Sequence, residues 1–273
     1  MPNIVLRKAT RLSTWRKMSV AAWAPPDDPT IYGMLDVDVS RLLPVLDQLS
    51  ASSGRRITLT HAVARALALA LREHPDLNVI VRWGRIYERR DVDIFLQVAV
   101  VEDGQSPDLS GCKIERADTK PLADIAAEIA LRARGIRNGE DREMRSSKKR
   151  IASVPAFLMR PVTLLMGWLT YTLNLDGRLL GLPRDPFGSA MVTSVGMFGI
   201  RVGFAPIFPP SRCPALILVG ALEDRPVVRN GQVVIRPVVT ITGTFDHRVI
   251  DGYHGGLLAR TLKTLLEDPP ADF

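Results

Sequence analysis

The sequence predicts one α/β domain in which helices pack on a mixed β-sheet as a two-layer sandwich. The first half alternates strand-like and helix-like segments, and the last third is rich in β-forming residues. No repeat or low-complexity linker divides the 273 residues, of which 46% are hydrophobic and 24% charged. This composition excludes disordered, collagen-like and disulfide-rich chains.

The first elements follow from apolar spacing. Residues 30–39 predict a strand, and Ser40 is a favourable N-cap for the helix after it. Residues 58–73 are rich in Ala and Leu and apolar nearly all round. They predict a buried helix that ends at Pro75.

A hairpin and a central strand complete the first half. Residues 78–83 and 85–88 predict a hairpin that turns at Trp83-Gly84. Residues 94–101 form an apolar run broken only by Gln97, which predicts a strand inside the sheet. A helix is predicted over residues 120–134.

A basic segment and then an apolar segment interrupt this pattern. Residues 132–150 carry eight basic and three acidic side chains, so they supply +5 of the formal net charge of +7. Residues 151–175 are strongly apolar, with Arg160 as their one charge. We interpret residues 140–187 as an insert in a single domain over 1–273. A helical segment packed on its own domain or a neighbouring subunit is favoured.

The alternative for this segment is membrane contact. The basic cluster suits an anionic membrane surface, which the apolar residues 151–175 would enter at the interface. A full span is the third option, although Pro155, Arg160 and Pro161 interrupt it. Nucleic acid is not expected as a partner, because no aromatic platform or helix-turn-helix pattern accompanies the basic charge.

The last third predicts long paired strands. Residues 191–194 and 215–222 have strand character, and 227–229 and 232–244 flank Asn230-Gly231, a strong hairpin signal. A helix over residues 252–267 closes the chain.

Cysteine and histidine usage gives no metal signature. Cys112 and Cys213 are not in Cys-x-x-Cys spacing, and the chain has four histidines. We expect no metal, and two reduced thiols in a cytoplasmic protein; a disulfide between the two is the alternative.

The motif with most chemical content is Thr244–Gly252, in which His247 follows a long strand and Asp251-Gly252 opens a helix. A general base needs a fixed tautomer and a pKa near neutrality, both available to an imidazole at a sheet rim. Asp251 could anchor the loop through an ion pair, and Gly252 could permit a tight turn. On spacing alone, a structural histidine is the better reading.

Several segments, taken together in their order along the chain, change that interpretation of His247. They are Thr14-Trp15-Arg16-Lys17, Met34–Ser40, His61–Leu71, Pro75-Asp76-Leu77-Asn78, Val192–Ile200 and Phe245–Gly252 with the helix that ends in Leu266-Glu267-Asp268-Pro269. Together they resemble the catalytic domain of dihydrolipoamide acyltransferases, the core subunits of 2-oxoacid dehydrogenase complexes. The resemblance implies the fold shared with chloramphenicol acetyltransferase and leaves residues 140–187 outside.

The resemblance implies roles for particular residues. His247 would be the base that deprotonates a thiol for attack on an acyl-CoA thioester. Asp251 would hold the loop by pairing with an arginine, for which Arg16 is the candidate and Arg11 the neighbour. Thr193, beside Ser194, would donate to the tetrahedral oxyanion where the family has Ser followed by Asn. A threonine hydroxyl can donate this bond, although its methyl restricts χ1.

The resemblance also implies partners. Coenzyme A would enter as acyl-CoA, and the chain would form a homotrimer or a multiple of trimers. His247 would come from one subunit and Thr193 from its neighbour. Because no lipoyl domain or lipoyl-lysine motif precedes the catalytic region, we expect no covalently bound lipoyl group here and a lipoyl acceptor, if used, in trans.

Two departures leave alternatives open. The polar run at residues 105–108 replaces an apolar strand of the family, and Thr193 replaces a serine. A catalytically silent scaffold that docks a partner or membrane is therefore the alternative. A peptide-synthetase-type condensation enzyme is disfavoured, because Asp246 stands where those enzymes usually have a second histidine.

Overall fold

The computed structural model describes residues 28–100, 108–137, 155–180, 184–271 and 273. The strands are β1 (Thr30–Asp38), β2 (Val79–Arg82), β3 (Arg85–Glu88), β4 (Ile94–Val100), β5 (Asp108–Ile114), β6 (Ala190–Ser194), β7 (Ala215–Arg229) and β8 (Gln232–Asp246). The helices are α1 (Leu42–Ser53), α2 (Leu59–Glu73), α3 (Leu122–Arg137), α4 (Ala156–Gly167) and α5 (Gly252–Glu267).

Six strands form one mixed sheet in the order β1-β8-β7-β6-β4-β5. Strand β6 runs parallel to both of its neighbours, and the other pairs are antiparallel. Strands β2 and β3 form a separate hairpin. The α/β prediction with a mixed sheet is thus confirmed, and β4 lies inside the sheet as its apolar run predicted.

The main core lies between one face of this sheet and the helices. Helix α2 is buried along most of its length, including Val63, Leu67 and Leu71, and packs beside α5. Leu258 and Leu262 of α5 join the same core. The prediction of a buried helix over 58–73 is confirmed. Thr58 begins it as the N-cap of a capping box with His61.

The opposite face of the sheet has a smaller apolar cluster. Phe95, Met191, Leu216 and Leu218 pack there with Cys213. Because side chains alternate between the faces of a strand, Thr193 shares this face with Met191, two positions earlier. The segment between β6 and β7 covers it in part, since Thr242 Oγ1 on β8 donates to the Gly203 carbonyl.

One predicted local feature was wrong, and one strand was not predicted. Ser40 does not cap α1: Arg41 occupies the N-cap without a side-chain cap hydrogen bond, and Ser40 N–H instead donates to Asp38. Strand β5 begins at the last residue of the polar run, Asp108, and pairs along all of β4, although its composition gave no strand signal. Backbone pairing with a neighbouring strand overrides weak β-propensity at a sheet edge.

The apolar insert forms α4 and a π-helical turn over Trp168–Thr172. Tyr171 is buried and α4 contacts the turn Pro209–Ser211, so the segment packs partly on its own domain. Its outer side exposes several large apolar residues, namely Leu158, Val162, Leu164, Leu165, Trp168, Leu173 and Leu175. Among the described residues, no helix combines the length and apolarity needed to cross a membrane.

Candidate active site

His247 lies on a tight turn directly after β8. Its backbone N–H donates to the Pro29 carbonyl, and its ring Nδ1 lies 3.1 Å from the carbonyl oxygen of Ile250. A carbonyl oxygen can only accept, so Nδ1 carries the proton of this hydrogen bond. The lone pair of a neutral ring is then on Nε2, to which none of the described residues hydrogen-bonds, and His247 is solvent-exposed.

The neighbours of His247 fix this turn. The Asp246 carbonyl accepts from the N–H groups of Val249 and Ile250, and Ile250 is fully buried. Arg248 folds back on the Asp246 carboxylate, with Nη2 2.5 Å from Oδ2. Burial alone would raise the pKa of Asp246, but the hydrogen bonds from Arg248 outweigh it and the pKa is lowered. The turn thus presents a positioned imidazole beside the Asp246–Arg248 ion pair.

Asp251 is the N-cap of α5. Its Oδ1 accepts from the backbone N–H of His254 at 3.0 Å and lies 2.7 Å from His254 Nδ1. These bonds hold the pKa of Asp251 below its usual value. On its other side, His254 Nε2 lies 3.5 Å from Asp76. The expected arginine partner, Arg16, lies outside the described residues, so that pairing stays a prediction.

His254 is a residue that sequence reasoning left out of the site. The sequence could have indicated His254 by its position three residues after Asp251. That spacing places it in the first turn of the helix, within reach of the capping carboxylate. Gly252 begins α5 without a left-handed φ, and a Cβ there would meet no atom of the described residues within 4 Å. The described part of the chain therefore places no steric requirement for glycine at this position.

Thr193 and Ser194 differ in what their hydroxyl groups do. Ser194 Oγ donates to the Val219 carbonyl at 3.3 Å and accepts from Gly196 N–H at 3.4 Å. It is thereby occupied in holding the turn after β6. The half-buried Thr193 hydroxyl bonds to none of the described residues, so it remains available to donate to an oxyanion.

The structure does not bring His247 and Thr193 together within one chain. Thr193 pairs across the sheet with Leu218, which pairs with Thr242, five positions before His247. At about 3.4 Å per residue along β8 and about 4.8 Å per strand across the sheet, the two backbones are roughly 20 Å apart. No rotamer choice closes that gap, since their side chains extend only a few ångströms.

Other reactive side chains are accounted for structurally. Cys112 and Cys213 are free, buried thiols, and burial raises their pKa values to about 11 and about 12. Burial lowers the pKa of His61 to about 4, and His74 Nε2 lies 3.1 Å from the Thr261 hydroxyl. In the described part of the chain, no group of three or more His, Cys, Asp and Glu residues could hold a metal ion.

Comparison with known proteins identifies the family. The model of the 2-oxoacid dehydrogenases acyltransferase (catalytic domain) family matches residues 8–162 and 187–272. The chain belongs to this family. Residues 163–186 lie outside the match; the insert predicted over 140–187 ends where the second matched part begins but was placed to start earlier.

Individual members of the acyltransferase family align over most of the chain. The dihydrolipoyllysine-residue acetyltransferase component of the Zymomonas mobilis pyruvate dehydrogenase complex is 29% identical over 88% of this chain and 45% of its own length. The chain spans about half the length of the curated relatives it matches.

Solved structures share the fold. A probable dihydrolipoamide acetyltransferase from Listeria monocytogenes superposes with a TM-score of 0.66 and 24% identity, covering 98% of this chain and 99% of that one. The Azotobacter vinelandii dihydrolipoamide acetyltransferase superposes with a TM-score of 0.64 and 21% sequence identity, covering 98% of each chain. These superpositions confirm the predicted architecture.

Proposed function

We propose that this chain is a coenzyme A-dependent acyltransferase that moves an acyl group between acyl-CoA and a thiol of the dihydrolipoyl type. The observation that carries the proposal is the hydrogen bond between His247 Nδ1 and the Ile250 carbonyl. It selects the tautomer whose Nε2 can take a proton, which is what a general base requires.

The chemistry proceeds in two balanced steps. His247 Nε2 takes the proton of the attacking thiol, and the thiolate sulfur adds to the thioester carbonyl carbon. The carbonyl electron pair moves to oxygen, where the Thr193 hydroxyl stabilises the tetrahedral oxyanion. When the intermediate collapses, the original carbon–sulfur bond breaks, and the departing thiolate receives the proton from the His247 imidazolium.

We place this site between subunits of a homotrimer. Support comes from the separation of roughly 20 Å between Thr193 and His247 within a chain. A second copy that supplies the missing group would complete the site. Large apolar side chains exposed on Thr193's side of the sheet and in the segment after β6 also suit a subunit interface, namely Tyr32, Met34, Met197, Phe198, Ile200 and Phe204.

The relatives indicate the partners. They are components of a pyruvate dehydrogenase complex and an acetoin cleaving system, so we propose acyl-CoA as one substrate and a lipoyl domain supplied in trans as the other. Catalysis by the Azotobacter vinelandii enzyme has been studied through a serine, a histidine and an asparagine four positions after the histidine. His247 and Asp251 have the same spacing.

For its location, we propose that the enzyme is cytoplasmic.

Contact between residues 151–175 and an anionic membrane remains a prediction. Its support is the exposed apolar side of α4 and the turn after it. Those side chains would serve equally in packing against a neighbouring subunit, and flotation with vesicles separates the two.

The test is acyl transfer from a panel of acyl-CoAs to dihydrolipoamide, followed by release of free CoA. We expect turnover by the wild type and a loss of at least about a hundredfold in His247→Ala. His74→Ala is the matched control, because its ring contacts Thr261 away from the site. Wild-type turnover no faster than that of His247→Ala, combined with measurable CoA binding, would instead favour a silent scaffold.

A further inference from the structure

A cavity outside the residues assigned to acyl transfer lies beyond the amino-terminal ends of β4 and β6. Its volume is about 770 Å³. Its walls come from the β2–β3 hairpin, the segment before β4, the end of β5 and the segment after α4. Six cationic side chains line it, namely Arg82, Arg89, Arg90, Lys113, Arg116 and Arg184.

Most acidic groups of this cavity are already paired. Lys113 Nζ lies 3.2 Å from Asp93 and 3.3 Å from Glu115. Arg89 Nη1 lies 2.7 Å from Asp185. Asp176 binds Arg178 at 2.6 Å, with Arg184 close enough to contribute to lowering its pKa.

Four arginines of this cavity lack an ion pair. Among the described residues, Arg82, Arg90, Arg116 and Arg184 have no carboxylate within 4.0 Å, and Asp91 is the one lining carboxylate without a cationic partner. Arg90 and Arg116 are solvent-exposed. The cavity therefore has a surplus of guanidinium groups, which suit an anion with several acceptor oxygens.

Buried donors reinforce this surplus. Among the described residues, Arg89 Nε and Nη2 and Arg82 Nε find no hydrogen-bond partner although they are buried, as does one acceptor, Asp185 Oδ1. A buried donor without an acceptor costs free energy, and more when it is charged. Tyr171 lies beside Asp185 at the same wall, and burial together with that carboxylate raises its pKa, so its hydroxyl keeps its proton.

We propose that this cavity binds a phosphate group of a small molecule or a lipid headgroup. Phosphate offers oxygens to several guanidinium groups at once, which a single carboxylate does not. Part of the wall, including Tyr171 and Asp185, falls within residues 163–186, outside the family match. The opposite wall, with Arg82, Arg90 and Arg116, lies inside the family match, so the cavity forms where the matched domain meets the unmatched segment.

Nearby apolar groups make a lipid one reasonable source of the phosphate. Trp168 of the turn after α4 contacts Trp83 of the β2–β3 hairpin edge to face, with centroids 6.3 Å apart. Both are exposed, as are Leu164 and Leu165. Tryptophan and apolar side chains beside a cationic site match the interfacial zone of a bilayer.

The test measures binding of inorganic pyrophosphate by calorimetry to the wild type and to Arg90→Gln/Arg116→Gln. Glutamine keeps most of the side-chain stem, and both positions are exposed, so the melting temperature is expected to stay unchanged. We expect affinity at least about tenfold weaker in this variant, or about 1.4 kcal/mol. Arg236→Gln/Arg260→Gln, with the same charge change on other exposed surfaces, is expected to bind like the wild type.

Flotation identifies the source of the phosphate. Phosphatidylcholine vesicles with added phosphatidic acid are compared with phosphatidylcholine alone. Flotation that needs phosphatidic acid, weakens in Arg90→Gln/Arg116→Gln and is competed by pyrophosphate supports a headgroup. Pyrophosphate binding without flotation supports a soluble phosphate compound. Equal binding of pyrophosphate by all three proteins, or by none, overturns the cavity site, whatever the acyl-transfer assay gives.

Discussion

The ring of His254 joins two carboxylates: Nδ1 lies 2.7 Å from Asp251, and Nε2 lies 3.5 Å from Asp76. Asp251 caps the helix that follows the His247 turn, and Asp76 lies in the turn after α2. His254 thus ties the start of α5 to the end of α2, on which α5 packs. Because Asp251 stands four residues after His247, this contact helps to fix the far end of the His247 turn.

Removal of the cap tests that contact. Asp251→Ala is expected to lower the urea midpoint at pH 7, because the His254 N–H loses its acceptor. The folded-state pKa of Asp251 is lowered, so its contribution is present above the unfolded pKa of about 3.9 and lost as the pH falls through the folded value.

The difference in urea midpoint between wild type and Asp251→Ala should therefore shrink below about pH 4. Asp47→Ala, an exposed change of the same charge within α1, is expected to leave the midpoint nearly unchanged. A difference for Asp251→Ala that is the same at pH 7 and at low pH would contradict the account.

Thr193 and Ser194 should respond differently to loss of their hydroxyl groups. Thr193→Ala is expected to lower kcat about 10²-fold or more, and Thr193→Ser to retain most of it. Ser194→Ala removes bonds to Val219 and Gly196, so it should cost about 1 kcal/mol of stability with little loss of kcat. Steady-state kinetics and urea unfolding of the three variants check this, and a larger kcat loss in Ser194→Ala would reverse the two roles.

The turn after Thr193 depends on a close backbone approach at Gly220. A Cβ there would collide with the Arg201 carbonyl oxygen, which belongs to the chain following the turn. Gly220→Ala is expected to destabilise the fold by about 1–3 kcal/mol. Gly203→Ala is the control, since its Cβ meets Leu218 at an ordinary 3.7 Å. Thermal unfolding distinguishes them, and equal melting temperatures would contradict the close approach of Gly220 to the Arg201 carbonyl.

The two thiols should be unreactive in the folded protein. Cys112 and Cys213 are buried, and their raised pKa values keep them protonated at neutral pH. A thiol reagent that absorbs on reaction should therefore label both only after denaturant is added. Rapid labelling of either under native conditions would show that burial does not protect it.

The sequence predicted the elements whose patterns are local. The buried helix α2, the hairpin at Asn230-Gly231 and the closing helix α5 are all indicated by spacing or turn residues. Strand β5 was not, because its pairing with β4 is a long-range interaction that its own composition does not encode.

The same distinction applies to the site. His247 and Asp251 stand in one contiguous motif, but only its combination with several other segments in family order made them site candidates. The role of His254 depends on a helical turn that brings it back to Asp251, and the role of the Ser194 hydroxyl depends on the carbonyl that it meets on β7. The cationic cavity gathers residues separated by about a hundred positions, so no local pattern could indicate it.

The most direct test mixes two inactive variants. His247→Ala and Thr193→Ala are unfolded together, refolded at equal amounts and assayed for acyl transfer against each variant refolded alone. If each site takes His247 from one subunit and Thr193 from the next, about one quarter of the sites in random trimers regain both groups. Activity near a quarter of the wild-type value is the predicted result. No gain over the separate variants, with trimers confirmed by light scattering, would contradict a site shared between subunits.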